Sequence, residues 1–276
     1  MAWIVRLVIA GVVVSSFGID EHQKSAAWGD DLGSPRTIFL VGDSTVKNGS
    51  DTGTGQLWGW GRFLGDRIDQ TKYRVENRAL GGRSSRTYRS EGLWGKVLEK
   101  VKPGDVILIQ FGHNDGGPID SGRARASLKG TGEETREVQV AGKPVEIVHT
   151  FGWYLRQYVT EARDKGAIPI VLSPIPRNIW SDQGKVARAS KDYGLWAGEV
   201  ARSENVAFID LNAIVADRYE SEGRDKVAQT YFTDSDHTHT TEAGARLNAL
   251  CVAESLRAVR DQEIAASILT NEASTK

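Results

Sequence analysis

Three side chains far apart in the sequence have the types that nucleophilic catalysis requires. Ser44 lies in the segment Gly42-Asp43-Ser44, and Asp236 and His239 stand together near the other end of the chain. A serine hydroxyl becomes a nucleophile when a neighbouring base takes its proton and a carboxylate holds that base in one tautomer. Because the Asp-x-x-His spacing can bring a carboxylate to the imidazole Nδ1, we expect Ser44 to be the nucleophile, His239 the base and Asp236 its orienting group.

Acyl transfer also needs donors that stabilise the negative oxygen of the tetrahedral intermediate. The candidates are the backbone N–H groups of Ser44 and Gly82 and the side-chain amide of Asn114. Gly82 suits the role because it has no Cβ to block a close approach.

Each of these residues also has an ordinary structural interpretation. A serine after a strand is commonly a helix N-cap, and Gly82 and Asn114 could simply form turns. The aspartates and histidines within 234–239 could form a surface loop or half of a metal site. His113 and His149 remain alternative candidates for the base, whereas Cys251 lies in an apolar helical pattern that predicts a buried core residue.

The elements that must position these residues alternate between strand and helix. Apolar or alternating runs predict strands, and longer mixed segments between them predict helices. The predicted strands cover residues 37–41, 73–77, 106–110, 168–172 and 206–210, and the predicted helices cover about 60–70, 88–101, 151–165, 184–204 and 241–265. This alternation predicts an α/β protein with a mainly parallel sheet covered on both faces.

Polar segments follow the predicted strands at their carboxyl ends, where open parallel sheets form their ligand crevices. Ser44 follows the first strand, Gly82 the second and Asn114 the third, and the segment with Asp236 and His239 comes after the fifth. We therefore expect these residues to meet at one rim. Residues 116–150 are rich in glycine and charge, and predict a long excursion over that face rather than a separate domain.

Four short motifs, taken in order, resemble those of the SGNH (GDSL) hydrolases, and most closely those of the rhamnogalacturonan acetylesterases among them. The motifs are Gly42-Asp43-Ser44-Thr45, Ala79-Leu80-Gly81-Gly82-Arg83-Ser84, Phe111-Gly112-His113-Asn114-Asp115 and Asp236-His237-Thr238-His239-Thr240. The resemblance implies a three-layer α/β/α flavodoxin-like sandwich with a five-stranded parallel sheet. It also implies removal of acetyl groups from pectin by an acyl-enzyme mechanism without a cofactor or metal.

The same resemblance assigns Ser44, His239 and Asp236 the roles given above and makes Ser44, Gly82 and Asn114 the oxyanion donors. An acidic sugar polymer as substrate would need cations near the site, since guanidinium groups bind carboxylates well. Arginines follow Gly82 at positions 83, 86 and 89, and Arg177 with Asn178 follows the fourth strand. We take Arg83, Arg177 and Asn178 as candidate substrate-binding residues.

Three other activities remain open at this point. They are acetylxylan esterase, a general short-chain esterase or lipase, and a non-catalytic carbohydrate-binding protein on the same fold. The set of Ser44, Asp236 and His239 argues against the last of these.

The overall charge and the N-terminus bear on partners and localisation. The 276 residues contain 35 Lys and Arg against 36 Asp and Glu, so the net charge of −1 provides no field that would favour nucleic acid or a membrane surface. A short apolar run follows Arg6, and residues 1–18 are typical of a secretory signal peptide, with an N-terminal anchor as the alternative. We expect a linker over 19–36, one hydrolase domain over 37–270, and a secreted or periplasmic protein with no stable membrane association after processing.

Overall fold

The main chain forms one parallel sheet with a small separate hairpin. The computed structural model describes residues 34–47, 56–142, 144–259 and 261–269, and the compact unit begins at Pro35. The expected signal peptide and nearly all of the expected linker lie outside the described residues. The strands of the described residues are β1 (Arg36–Gly42), β2 (Tyr73–Asn77), β3 (Val106–Gln110), β4 (Thr135–Val138), β5 (Glu146–His149), β6 (Ile168–Leu172) and β7 (Ala207–Ile209).

The large sheet has the order β2-β1-β3-β6-β7, and every neighbouring pair in it is parallel. This is the flavodoxin-like order, in which the chain first moves to one side of β1 and then returns to the other. Loops after β1 and β3 leave the sheet in opposite directions at this switch point, which opens a crevice at their carboxyl ends. The expected fold class is therefore confirmed.

Helices cover both faces of the sheet. They are α1 (Ser85–Ser90), α2 (Leu93–Leu98), α3 (Phe151–Asp164), α4 (Tyr193–Ser203), α5 (Leu211–Glu222), α6 (Arg224–Tyr231), α7 (Glu242–Leu256) and α8 (Gln262–Ser267). No helix within the described ranges combines the length and the apolar character needed to cross a bilayer.

Alternate residues of each central strand enter two separate cores, because side chains of a strand point to opposite faces in turn. Ile38 and Leu40 pack with α5 to α8, while Phe39 and Val41 pack with α1 to α4. Strand β3 divides in the same way and is buried throughout. Each core lies between one face of the sheet and one layer of helices, and the result is a three-layer α/β/α arrangement.

Several predicted helices differ from the observed ones for local reasons. Residues 60–70 form two short 3-10 turns, because the chain must pass close to β2. A Cβ at Gly61 would lie 2.3 Å from the side-chain nitrogen of Asn77. The predicted helix over 88–101 begins earlier, at the capping box of Ser84, and is interrupted at Gly92, whose φ is +72°.

Other differences come from capping and from tertiary contacts. Residues 184–192 are irregular because their polar groups bond to α5: Arg188 pairs with Asp217 and Glu220, and the N–H of Ala189 donates to Asn212. The predicted last helix ends at Leu256, and Asp261 caps a separate α8. Helices α5 and α6 lie in a stretch for which the sequence had predicted no element.

The excursion over 116–150 contains the β4–β5 hairpin and is held to the body of the protein by a buried arginine. Arg86 is 1% exposed, its guanidinium pairs bidentately with Glu146, and its Nη1 donates to the carbonyls of Ile119 and Ala126, both at 2.9 Å. Arg89 pairs with Glu161 of α3. Arg86 and Arg89 therefore hold elements together, and neither is the rim cation that the sequence suggested.

Replacing Arg86 by Met should lower the free energy of unfolding by about 2–3 kcal/mol, because two buried carbonyls and Glu146 lose a charged donor. Urea denaturation would measure this change. Arg136 is an exposed arginine in the same excursion, and its replacement by Met should change the stability by less than about 0.5 kcal/mol. A loss from Arg86→Met no larger than that of the control would contradict the anchoring role.

Candidate active site

The turn after β1 is fixed by close packing and by buried hydrogen bonds. A Cβ at Gly42 would lie 2.6 Å from the carbonyl oxygen of Gln110, so only glycine allows β1 to approach the end of β3 this closely. The Asp43 carboxylate accepts hydrogen bonds from the Thr45 amide at 2.9 Å and the Thr45 hydroxyl at 2.8 Å. Ser44 is thereby held between two immobile residues at the carboxyl edge of the sheet.

A buried amide ties this turn to its surroundings. Gln110 Nε2 donates to Thr45 Oγ1 at 2.8 Å, and Gln110 Oε1 accepts from the indole of Trp60 at 3.0 Å. Gln110 and Trp60 are both 0% exposed. Since a buried amide without partners would cost free energy, these bonds select a single arrangement of the turn.

Ser44, His239 and Asp236 form a continuous hydrogen-bonded chain. His239 Nε2 lies 2.8 Å from Ser44 Oγ, and His239 Nδ1 lies 2.7 Å from Asp236 Oδ2. A carboxylate accepts a hydrogen bond from Nδ1–H, which leaves Nε2 unprotonated as the acceptor for the serine hydroxyl. The geometry is that of a nucleophile, a base and an orienting group.

The carboxylate of Asp236 is held in its ionised form by its own loop. Its Oδ1 accepts the backbone N–H groups of Thr238 at 2.7 Å and His239 at 2.9 Å. Partial burial acts to raise the pKa of Asp236, but the hydrogen bonds from His239 and Thr238 outweigh it and hold the pKa below its ordinary value. A charged acceptor is therefore present beside the imidazole.

The loop that carries His239 is attached through the two residues that follow it, Thr240 and Thr241. The Trp58 N–H donates to the Thr240 carbonyl at 2.8 Å, and the Thr240 hydroxyl donates to the Trp58 carbonyl at 3.1 Å. One residue later the Thr241 side chain caps α7 by accepting the N–H of Gly244. These anchors explain how a residue 195 positions from Ser44 reaches it at hydrogen-bond distance.

Besides Ser44 itself, the predicted oxyanion donors come from two neighbouring loops, those after β2 and β3. The Leu80 amide donates to the Gly42 carbonyl at 3.0 Å, and a Cβ at Gly81 would lie 3.5 Å from Ser44 Cβ, so this loop runs beside the serine. Gly82 has a φ of +80°, a conformation that favours glycine. Asn114 is 7% exposed and one of its two amide protons is donated to the Arg83 carbonyl at 2.9 Å.

A second buried carboxylate supports both loops. Asp115 is 0% exposed, and its carboxylate accepts the N–H and hydroxyl of Ser85 and the hydroxyl of Ser127. Burial raises its pKa to about 7, although the bonds from Ser85 and Ser127 oppose the rise. Asp115 therefore joins the Asn114 loop to the start of α1, directly after the Gly82 turn.

The predicted substrate-binding residues have different environments. Arg83 is committed to an ion pair with Glu91 at 2.8 Å and donates to the Gly81 carbonyl. Arg177 is half-buried, and its positive charge acts on His113. Asn178 accepts from the indole of Trp180 and shares a small polar cavity with Asp236 and His237. The structure thus places Arg177 and Asn178, but not a free Arg83 guanidinium, around the catalytic loop.

Neither His113 nor His149, the two alternative candidates for the base, is hydrogen-bonded to Ser44 in the described residues. The ring nitrogen Nε2 of His113 is buried without a hydrogen-bond partner in the described residues, and burial lowers the pKa of this imidazole. His149 stacks on Trp153 with ring centroids 3.7 Å apart. The described part of the chain holds no group of three or more His, Cys, Asp or Glu side chains arranged to bind a metal. Cys251 is buried, as the sequence predicted.

Gln110, Asp115 and Arg125 are site residues that the sequence reasoning missed. For Gln110, the available signal was a polar residue at the end of an apolar strand. For Asp115, it was a position directly after a candidate oxyanion donor. Arg125 lies in the excursion, and nothing in its local sequence shows that its Nη1 donates to the Gly82 carbonyl at 3.1 Å.

Comparison with known proteins gives consistent results. A sequence model of the GDSL-like lipase/acylhydrolase family matches residues 40–247. The rhamnogalacturonan acetylesterase of Emericella nidulans is 32% identical over 214 residues, which are 78% of this chain and 82% of that protein. A Bacillus subtilis protein named "Probable rhamnogalacturonan acetylesterase YesY" is 35% identical over 225 residues, 80% of this chain and 92% of the relative.

Solved structures share the fold. The Bacillus subtilis protein YXIM matches with a TM-score of 0.67 and 27% identity over 82% of this chain, which spans 57% of the length of that chain. The acetylxylan esterase Axe2 of Geobacillus stearothermophilus matches with a TM-score of 0.51 and 17% identity, covering 84% of this chain and 95% of that one.

The raised pKa of Asp115 predicts a pH dependence of stability. Between the ordinary carboxyl pKa and about 7, the folded state retains a proton that the unfolded state has lost, so stability should fall as the pH rises through this window. Asp115→Asn removes the titration but keeps a hydrogen-bond acceptor for Ser85. The stability of the wild type relative to this variant, measured by urea denaturation, should therefore decrease from pH 4.5 to 7.5; a constant difference would exclude a raised pKa.

Proposed function

This chain belongs to the GDSL-like lipase/acylhydrolase family, and we propose that it is a serine esterase that removes O-acetyl groups from rhamnogalacturonan or a related pectin. The observation that carries the esterase assignment is the hydrogen-bonded chain from Ser44 through His239 to Asp236. The choice of substrate is supported by the names of two relatives at 32% and 35% identity.

The first half of the reaction transfers the acetyl group to the enzyme. Ser44 Oγ attacks the acetyl carbonyl while His239 Nε2 takes its proton, and the negative charge of Asp236 stabilises the imidazolium that forms. Collapse of the tetrahedral intermediate breaks the bond to the sugar oxygen, which receives the proton from His239. The products are acetyl-Ser44 and a free sugar hydroxyl.

The second half repeats these steps with water as the nucleophile. His239 takes a proton from water as the water oxygen attacks acetyl-Ser44, and it then returns the proton to Ser44 Oγ as acetate leaves. In both halves the oxyanion receives hydrogen bonds from the Ser44 N–H, the Gly82 N–H and the amide proton of Asn114 that Arg83 does not use. Donors held in place before the reaction stabilise charge without reorganisation.

We place sugar binding at the rim around Ser44 and His239. Arg177 and Asn178 lie next to the catalytic loop, where the half-buried guanidinium of Arg177 suits an acidic sugar and Asn178 suits a hydroxyl. The partner is an acetylated polysaccharide or oligosaccharide outside the cell, which agrees with the expected signal peptide and a secreted or periplasmic location.

Substitutions within the hydrogen-bonded chain test the mechanism. Ser44→Ala should lower kcat by about 10⁴-fold or more, because no nucleophile remains. His239→Ala should have a similar effect, and Asp236→Asn a smaller one, because it misorients the base without deleting it. Ser90 is exposed on α1, and Ser90→Ala should keep the wild-type rate. Hydrolysis of p-nitrophenyl acetate measures these rates, and substantial activity in Ser44→Ala would exclude this nucleophile.

The substrate is tested by acetate release from natural polymers. Acetylated rhamnogalacturonan fragments should be hydrolysed with a kcat/KM at least about tenfold above that for acetylated xylan, since one good charged contact is worth that factor. Preference for xylan would support an acetylxylan esterase instead. A rate that rises with acyl length on p-nitrophenyl esters would support a lipase, and failure of an organophosphate to label Ser44 would support a binding protein.

A further inference from the structure

Arg125 belongs to the excursion that follows β3, and the backbone on both sides of it is fixed. Its carbonyl accepts the hydroxyl of Ser84, the residue that caps α1, and the next carbonyl, that of Ala126, accepts from the buried Arg86. Ser127 then bonds to Asp115 through its side chain and its amide. The excursion is thus a rigid support at this point rather than a free loop.

The residue before Arg125 has an unusual backbone conformation. Ala124 has a φ of +44° although it is not glycine, it is 6% exposed, and its amide closes a turn onto the Ser121 carbonyl at 2.8 Å. Such a conformation persists only where surrounding contacts enforce it, and it is typical of functional sites. Here it precedes the residue whose side chain turns toward Gly82.

The guanidinium of Arg125 lies against the oxyanion glycine. Its Nη1 donates to the Gly82 carbonyl at 3.1 Å and is 3.6 Å from the position that a Cβ on Gly82 would take. Gly81, the preceding residue, approaches Ser44 Cβ. A positive charge is therefore placed beside the predicted point of attack, on the side formed by the Gly82 turn.

This cation lacks a carboxylate partner among the described residues. The neighbouring arginines at positions 83, 86 and 89 pair with Glu91, Glu146 and Glu161. For Arg125, burial and the charge of Arg123 lower the pKa, and the charges of Asp43 and Asp115 only partly offset this. A half-buried guanidinium whose remaining N–H groups have no acceptor is strongly stabilised when a ligand supplies an anion.

We propose that Arg125 is a specificity-determining residue that binds the carboxylate of a uronic acid unit next to the acetylated sugar. The inference rests on the proposed pectin-directed esterase activity and goes beyond it, because it assigns acid recognition to the excursion. Its Nη1 remains bonded to Gly82, while its other N–H groups face the substrate carboxylate in the planar geometry that guanidinium provides.

Two substrates that differ only in charge provide the test. One is an acetylated oligosaccharide containing free galacturonic acid, and the other is the same oligosaccharide with its carboxyls converted to methyl esters. The wild type should show a higher kcat/KM on the free acid, and Arg125→Gln should reduce this ratio about tenfold, as expected for loss of a charged hydrogen bond. Arg125→Lys should retain part of the preference, and added salt should weaken it in the wild type.

The control is Arg136→Gln, which removes one charge from the exposed hairpin of the same excursion and should keep the wild-type ratio. An unchanged ratio in Arg125→Gln, or equal losses on both substrates, would overturn the role of Arg125 in acid recognition. Failure of the wild type to release acetate from either oligosaccharide would instead overturn the proposed function, so the two failures are distinguishable.

Discussion

The buried amide of Gln110 is the constraint on which the site depends. It ends β3, yet it bonds to Thr45 in the turn after β1 and to the indole of Trp60. Amides removed from water require partners, so the ends of two adjacent strands and a third segment are held in one arrangement. Glycine at position 42 permits the close approach, and Ser44 lies half-buried at the edge of the sheet as a consequence.

From this fixed edge, the parallel sheet gathers residues that are distant in sequence. Parallel strands end at the same side, so the loops after β1, β2 and β3 meet there, where the Asn114 amide also bonds to the Arg83 carbonyl. The last loop is different, because it follows two helices beyond β7 and must be held by its own bonds to Trp58. The reactive geometry thus combines what the topology supplies with one additional attachment.

The arginines around the site are of two kinds: some form ion pairs with glutamates, and others form none among the described residues. Arginines at 83, 86 and 89 pair with glutamates: Arg83 pairs with Glu91 at the end of α1, Arg86 joins α1 to the excursion and Arg89 joins α1 to α3. Arg125 and Arg177 have no such ion pair among the described residues, and Arg125 donates to the Gly82 carbonyl instead. Asp115 is a buried acid without a cationic partner in the described part of the chain. Hydroxyl groups donate to its carboxylate, and burial raises the pKa of Asp115 to about 7. The paired arginines thus stabilise the fold, whereas Arg125 and Arg177 are the cations that we propose for ligand binding.

The sequence by itself determined the chemical types in the site, the five strands of the sheet and the spacing that pairs Asp236 with His239. Apolar runs and short-range spacing express local physics, which a sequence displays directly. Only the tertiary structure decided that residues 184–192 are irregular, that Arg86 and Arg89 are ion-paired, and that Arg125 reaches Gly82. Each of these outcomes depends on partners that are distant in sequence, and the free energy of a long-range pair is not visible in either segment alone.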